Sequence, residues 1–189
     1  MKLEKTGFTE NLIRLNGLDF GRWVFLPGMR LGDRVKWWAE GETLRPGGQK
    51  HNGLDLRLYE TASGQVAALS EGTKIPLLYP GRIVSISPDF LAQSIFVENE
   101  VNKAGRGKRL FTVYGHLLAD ARLEGRRLDA CLDEGLVIGS LGRLKKSAAP
   151  AHLHISILYA PEDVPVKKLS WKLLDETPGV VFLDPEGIL

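Results

Sequence analysis

Cysteine is all but missing from this chain. Cys131 is the single one in 189 residues, so no intramolecular disulfide can form. Its expected role is a small buried apolar group, because a nucleophilic thiol needs a base beside it to lower its pKa. No stretch approaches the ~20 apolar residues of a membrane-crossing helix. The opening residues, Met1 to Gly17, read as polar throughout, without the apolar centre of a signal peptide. An excess of one charge is missing as well, the formal net charge being only +2. The basic residues fall in scattered groups: Arg106, Lys108 and Arg109, then Arg126 and Arg127, then Lys145 and Lys146. No ladder of aromatics separates them, which argues against a nucleic-acid partner.

What is present is an ordinary globular balance, 43% apolar and 25% charged residues. The length suits a single domain over 1–189. It is read as N-terminal strands and a loop (1–45), a core carrying the chemistry (46–160) and a C-terminal segment (161–189). The dominant hydrophobic period is two. Short strands are expected at Val24–Leu26, Val35–Trp38, Leu54–Tyr59, Ile83–Ile86, Ser94–Glu98, Leu110–Tyr114, Leu136–Ile138 and Leu153–Tyr159, with Gly/Pro turns between them. Asn102 to Lys108 reads as the connection of a hairpin, and Glu40 to Lys50 as a loop delivering the chain to His51. The expected fold class is therefore mainly β, an antiparallel sheet domain with one or two short peripheral helices. One helix is expected over Val166 to Leu174, whose apolar residues have helical spacing. Ala119 to Glu134 is read as a short helix or a structured loop.

Histidine is scarce too, four in all, and three motifs contain them. His51-Asn52-Gly53-Leu54-Asp55 sets an imidazole and a carboxylate at the head of a strand, with a turn at Asn52-Gly53. Tyr114-Gly115-His116-Leu117 ends a hairpin strand. His152-Leu153-His154 lies on a strand, where residues two apart share a face; His152, His154 and Ser156 are expected to look one way, and Leu153, Ile155 and Ile157 into the core. Catalytic zinc commonly takes three protein ligands from His and Asp or Glu and keeps a fourth position open. One aspartate and two histidines meet that demand, leaving two histidines for proton transfer and charge stabilisation. Position alone leaves open whether His152 or His154 is a ligand.

The three motifs, in this order, resemble the LytM/lysostaphin family of zinc metalloendopeptidases. The resemblance runs from about Gly47 to Leu158, and includes Gly72 to Pro76, Tyr79 to Val84 and the glycine-rich run Gly135 to Gly142. It implies zinc held by His51, Asp55 and His154, with His116 and His152 as the catalytic pair. It also implies hydrolysis of peptide bonds in peptidoglycan cross-links or stem peptides, on an antiparallel β fold with a long groove over the metal. The implied location is the cell envelope or the exterior if a targeting segment has been removed ahead of Met1, and the cytoplasm if Met1 is the native start. Ile155-Ser156 departs from the Phe-Glu that follows His-Leu-His in many relatives. No tyrosine occurs in the dozen residues before His51, and Trp37 and Trp38, the nearest aromatics, are expected to pack in the core. A non-catalytic LytM-like module that binds or activates another cell-wall hydrolase is the alternative. A cupin-type metal site would want a glutamate where Ile157, Leu158 and Tyr159 stand.

Overall fold

The computed structural model describes residues 3–100, 107–121, 130–142 and 147–189. Its spine is β8 (Lys108–Ala119), flanked by β7 (Gln93–Asn99) and β11 (Leu153–Pro161). β6 (Gly81–Pro88) extends the sheet beyond β7, and β9 (Cys131–Leu132) closes that edge. The far edge of β11 is shared: β2 (Leu54–Leu56) pairs with its first residues and β12 (Val181–Leu183) with its later ones. β10 (Val137–Leu141) joins the end of β8 to β5 (Lys74–Pro76). A smaller sheet holds β1 (Arg22–Val24), β3 (Leu58–Glu60) and β4 (Val66–Ala68). All of these pairings are antiparallel, so the mainly β architecture matches the expectation from the two-residue period.

Among the described residues, α1 (Phe8–Asn16) and α2 (Trp171–Glu176) are α-helices. α1 falls within a stretch read as polar throughout, although Phe8, Leu12, Ile13 and Leu15 are apolar. Phe8 and Leu12, four apart and both fully buried, hold it to the sheet. α2 is shorter than expected: Val166–Lys168 forms a 3₁₀ turn, and the helix starts only after Ser170, whose hydroxyl accepts from the Leu173 N–H at 3.2 Å.

β11 has apolar cores on both sides. Leu153, Ile155 and Ile157 enter the larger cluster with Leu54, Leu56, Ile95 and Tyr114. Leu158 and Ala160 face a second cluster with Phe96, Phe111, Val113, Leu169 and Leu174, beneath the C-terminal segment. Each fully buried Leu or Ile contributes about 1.5–3 kcal/mol by leaving water, so β11 is anchored from both faces.

Several local expectations change. Leu54–Tyr59 is two strands, broken at Arg57, one for each sheet. Val35–Trp38 is no strand; Val35 makes an isolated bridge to Leu44. Cys131 is exposed, because it lies on the short edge strand β9. Arg106, Arg126, Arg127, Lys145, Lys146, most of the Asn102 to Lys108 connection and the middle of Ala119 to Glu134 lie outside the described residues.

Candidate active site

Three adjacent strands carry the three motifs. At the level of His154, β11 is bordered by β2 on one side and β8 on the other: His154 stands opposite Asp55 across one ladder and opposite Gly115 across the other. Two glycines make this possible. A Cβ on Gly53 would lie 2.6 Å from Ser156 Oγ and 2.7 Å from His154 Nε2, and a Cβ on Gly115 would crowd the His154 Cβ at 3.1 Å. The His-x-Gly-x-Asp and Tyr-Gly-His spacings thus clear room for one imidazole. His51 reaches the site from the loop before β2, tied by its own N–H to Asp33 O at 2.7 Å and by its carbonyl to Gly32 N at 2.8 Å.

His51, Asp55 and His154 converge. His51 Nε2 is 3.1 Å from His154 Nδ1 and 3.2 Å from Asp55 Oδ1, and His154 Nδ1 is 2.9 Å from Asp55 Oδ1. The remaining ring nitrogens are committed elsewhere. His51 Nδ1 lies 3.1 Å from Arg30 O, a carbonyl that can only accept, so the proton belongs on Nδ1. Ser156 donates its hydroxyl proton to Asn52 O at 2.7 Å and so accepts from His154 Nε2 at 2.8 Å. Trp37 Nε1 donates to Asp55 Oδ2 at 2.8 Å, leaving Oδ1 for the centre. With their protons spent elsewhere, two imidazole lone pairs and one carboxylate oxygen face each other at short range. Such a group is repulsive without a cation among its members. A tetrahedral zinc with bonds of about 2.0–2.1 Å holds its donor atoms roughly 3.4 Å apart, close to what is seen, so the residues fit that ion.

His116 and His152 stand beside this group, ring centroids 4.6 Å apart. His152 donates Nδ1–H to Pro150 O at 2.8 Å, and its Nε2 has no partner, 3.7 Å from Asp55 Oδ1. His116 has a positive φ of 69°, and Asp89 holds it there. Asp89 Oδ2 accepts from the His116 backbone N–H at 2.8 Å. The ring Nδ1 is 3.1 Å from Asp89 Oδ1 but off line for a directed hydrogen bond.

The charges follow from burial and neighbours. Burial pushes the His152 and His154 rings down to about 4, so both are neutral at pH 7. Asp89 is raised by burial and then brought far below the ordinary carboxylate range by the His116 ring and by backbone N–H donors. Burial lowers the Arg45 guanidinium from its usual value.

A cavity of about 220 Å³ opens over these groups. Besides the four histidines and Asp55, its walls are Trp38, Arg45, Asn52, Asp89, Phe90 and Trp171. A second hollow of about 410 Å³ shares His51 and Asn52 with the first and runs past Lys50 and Asp175. Trp37 and Trp38 depart from their expected role as core residues. Trp38 stacks on His152 with centroids 5.8 Å apart, and Trp37 holds Asp55. Ser156 was expected to line the groove with His152; it is fully buried beneath His154 instead. Asp89, Phe90 and Trp171 had no signal in the sequence, being an ordinary turn aspartate and two aromatics far from the motifs.

No protein-family model matches the sequence, and neither does any curated protein. The fold, however, is similar to solved structures. The crystal structure of CbpA from L. salivarius REN aligns with a TM-score of 0.50 at 18% identity, over 90% of this chain and 94% of that one. The catalytic domain of a mutant of the prophage-encoded M23 protein EnpA from Enterococcus faecalis aligns at 20% identity with a TM-score of 0.43, over 76% and 88%. The solution structure of lysostaphin aligns at 18% identity and 0.43, over 77% of this chain; this chain spans only 45% of that one. With its motif-bearing strands side by side in an antiparallel sheet, the chain has a LytM-type fold.

Proposed function

We propose that this protein is a zinc metalloendopeptidase that hydrolyses peptide bonds in peptidoglycan cross-links or stem peptides. The observation that carries the reading is the facing trio of His51 Nε2, Asp55 Oδ1 and His154 Nδ1, each with its other polar atom engaged elsewhere. These three would hold the zinc. When bound, zinc supplies Lewis acidity toward a carbonyl oxygen and toward water.

The chain's own groups handle the protons. His152 is neutral, and its Nε2 lone pair has no partner, so this atom accepts the proton of the attacking water. His116 delivers a proton to the leaving amine, and Asp89 at its Nδ1 steadies the ring while it is charged. Trp38, Phe90 and Trp171 restrict water around the reacting bond, which strengthens every polar interaction inside.

The test compares zinc content with digestion of purified peptidoglycan, read by mass analysis of the released fragments. The wild type is expected to carry about one zinc per chain and to release peptide-cleaved muropeptides. Alanine at His51, Asp55 or His154 should remove the metal. Alanine at His116 or His152 should keep it and lower the rate about 10²–10⁴-fold. The double variant should be scarcely slower than either single one, because both groups serve one transition state. A zinc-loaded wild type that cleaves nothing would point to the non-catalytic module. Loss of metal on replacing His152 would move that residue into the ligand set.

A further inference from the structure

Arg45 has no part in the roles assigned so far, yet it is the one lysine or arginine among the described residues lining the 220 Å³ cavity. Its side chain is only 15% exposed. One terminal nitrogen, Nη2, donates to Gly28 O at 2.9 Å. The same nitrogen is 4.0 Å from Asp55 Oδ2, beyond hydrogen-bonding range, and that oxygen already accepts from Trp37. Nε is buried with no partner. The guanidinium carbon sits 5.5 Å from the centroid of Trp38, the ring that stacks on His152. The main chain at Arg45 is held by its N–H to Arg34 O at 2.8 Å. A guanidinium carries five N–H donors; Nε is too buried for a bound group to reach, so the terminal nitrogens are the donors left for a group that supplies acceptors. The cavity has room for a group that does so.

We propose that Arg45 is the substrate-facing cation of this site, donating to the scissile carbonyl oxygen as negative charge builds on it. In that step the water oxygen bonds to the carbonyl carbon and the C=O π pair moves onto the carbonyl oxygen. The water proton passes to His152. The oxyanion pair then re-forms the C=O bond as the C–N bond breaks, its electron pair leaving on the amine nitrogen, which takes a proton from His116. The proton gained at His152 balances the one His116 has lost, and the products are a carboxylic acid and an amine. Arg45 neither gains nor loses a proton; it lowers the energy of the oxyanion. A preorganised donor of this kind is worth about 10²–10³ in kcat. The inference rests on the hydrolase reading and adds to it a residue and a transition-state contact.

The experiment uses zinc-loaded wild type, Arg45→Gln and Arg45→Lys on a peptidoglycan stem peptide offered as free acid and as C-terminal amide. It records kcat, KM and zinc content, together with the affinity of a phosphinic analogue of the same peptide, which mimics the tetrahedral oxyanion. For Arg45→Gln the expected result is kcat down about 10²–10³-fold with KM little changed, equally for both peptides. Zinc content should be full and phosphinic affinity should fall in parallel, while Arg45→Lys recovers part of both. Unchanged kcat and phosphinic affinity would overturn the proposal. So would a loss confined to the free acid, which would make Arg45 a reader of the chain terminus. Loss of zinc would overturn it too, making Arg45 a support for Asp55. A wild type that holds zinc but cleaves neither peptide would sink the hydrolase reading itself, whatever Arg45 does.

Discussion

The floor and the rim of the cavity are built by different means. On the floor, β2, β8 and β11 set His154 opposite Asp55 and Gly115 by ladder register, so main-chain hydrogen bonds decide where the donor atoms fall. The rim has almost no ladder. Residues 28–49 cross the site with one isolated bridge, and the β6–β7 turn holds Asp89 and Phe90. There scattered main-chain turn bonds, such as Arg45 N–H to Arg34 O and Lys36 N–H to Thr43 O, are supplemented by side chains. Asp33 Oδ2 accepts from the Gly28 and Arg30 N–H groups at 2.8 and 3.0 Å. Asp89 accepts from Leu91, Ala92, Ser94 and His116. A register can be disturbed only as a whole, whereas a rim held by separate turn bonds and single side chains can be altered one bond at a time. Damage to the floor should therefore cost the fold and the metal together, and damage to the rim should separate them.

Gly53→Ala should break the floor. The new methyl would press on Ser156 Oγ and His154 Nε2 inside a ladder that cannot move aside. The expected loss is about 3 kcal/mol of stability, together with most of the zinc affinity; denaturant unfolding and a chelator competition read the two. A stable Gly53→Ala protein with full zinc affinity would show that the floor is more yielding than its register implies.

Asp89→Asn attacks the rim where a charge holds it. Asp89 is depressed in the folded state, so its contribution is complete above the ordinary carboxylate value of about 4 and is lost as pH falls through the lower folded value. Stability of the wild type should decline from about pH 4 downward more steeply than that of the variant. At neutral pH the variant should be weaker by about 2 kcal/mol, the scale of a hydrogen bond to a charged group. Thermal melting from pH 2 to 7 makes the comparison, and parallel pH curves would remove Asp89 from the account of acid sensitivity.

Trp37→Phe is the mildest. It keeps the ring packed against His152 and removes only the N–H that fixes Asp55 Oδ2. Zinc affinity should fall about tenfold, the low end for the loss of a group orienting a ligand, while the melting temperature of the metal-free protein barely moves. Equal zinc affinity in the two proteins would mean that register alone aims Asp55.

Period-two patterning was enough to read the antiparallel sheet, because alternation is a local property of a strand that buries one or both faces. The motif glycines, with the histidines beside them, were enough to name the residues that now stand together. Gly53 and Gly115 are needed by close backbone approach, and such a need leaves a mark in the sequence. The family pattern was required to choose His154 over His152 as the expected ligand, since period-two alternation alone puts both on one face of the expected strand. Trp37, Trp38, Arg45, Asp89, Phe90 and Trp171 left no comparable mark. Their spacings follow no period, and each would pass for a core aromatic, a surface cation or a turn aspartate. α1 escaped notice because Phe8, Leu12 and Leu15, though at helical spacing, stand among polar residues in too short a run for the period to stand out. The tautomers were beyond reach as well: which nitrogen of His51 or His154 keeps its proton depends on Arg30 O and Ser156 Oγ, and Ser156 acts only because Asn52 O takes its proton. Short-range sterics and periodicity lie within reach of a sequence; contacts between segments far apart along the chain exist only once the strands have chosen their neighbours.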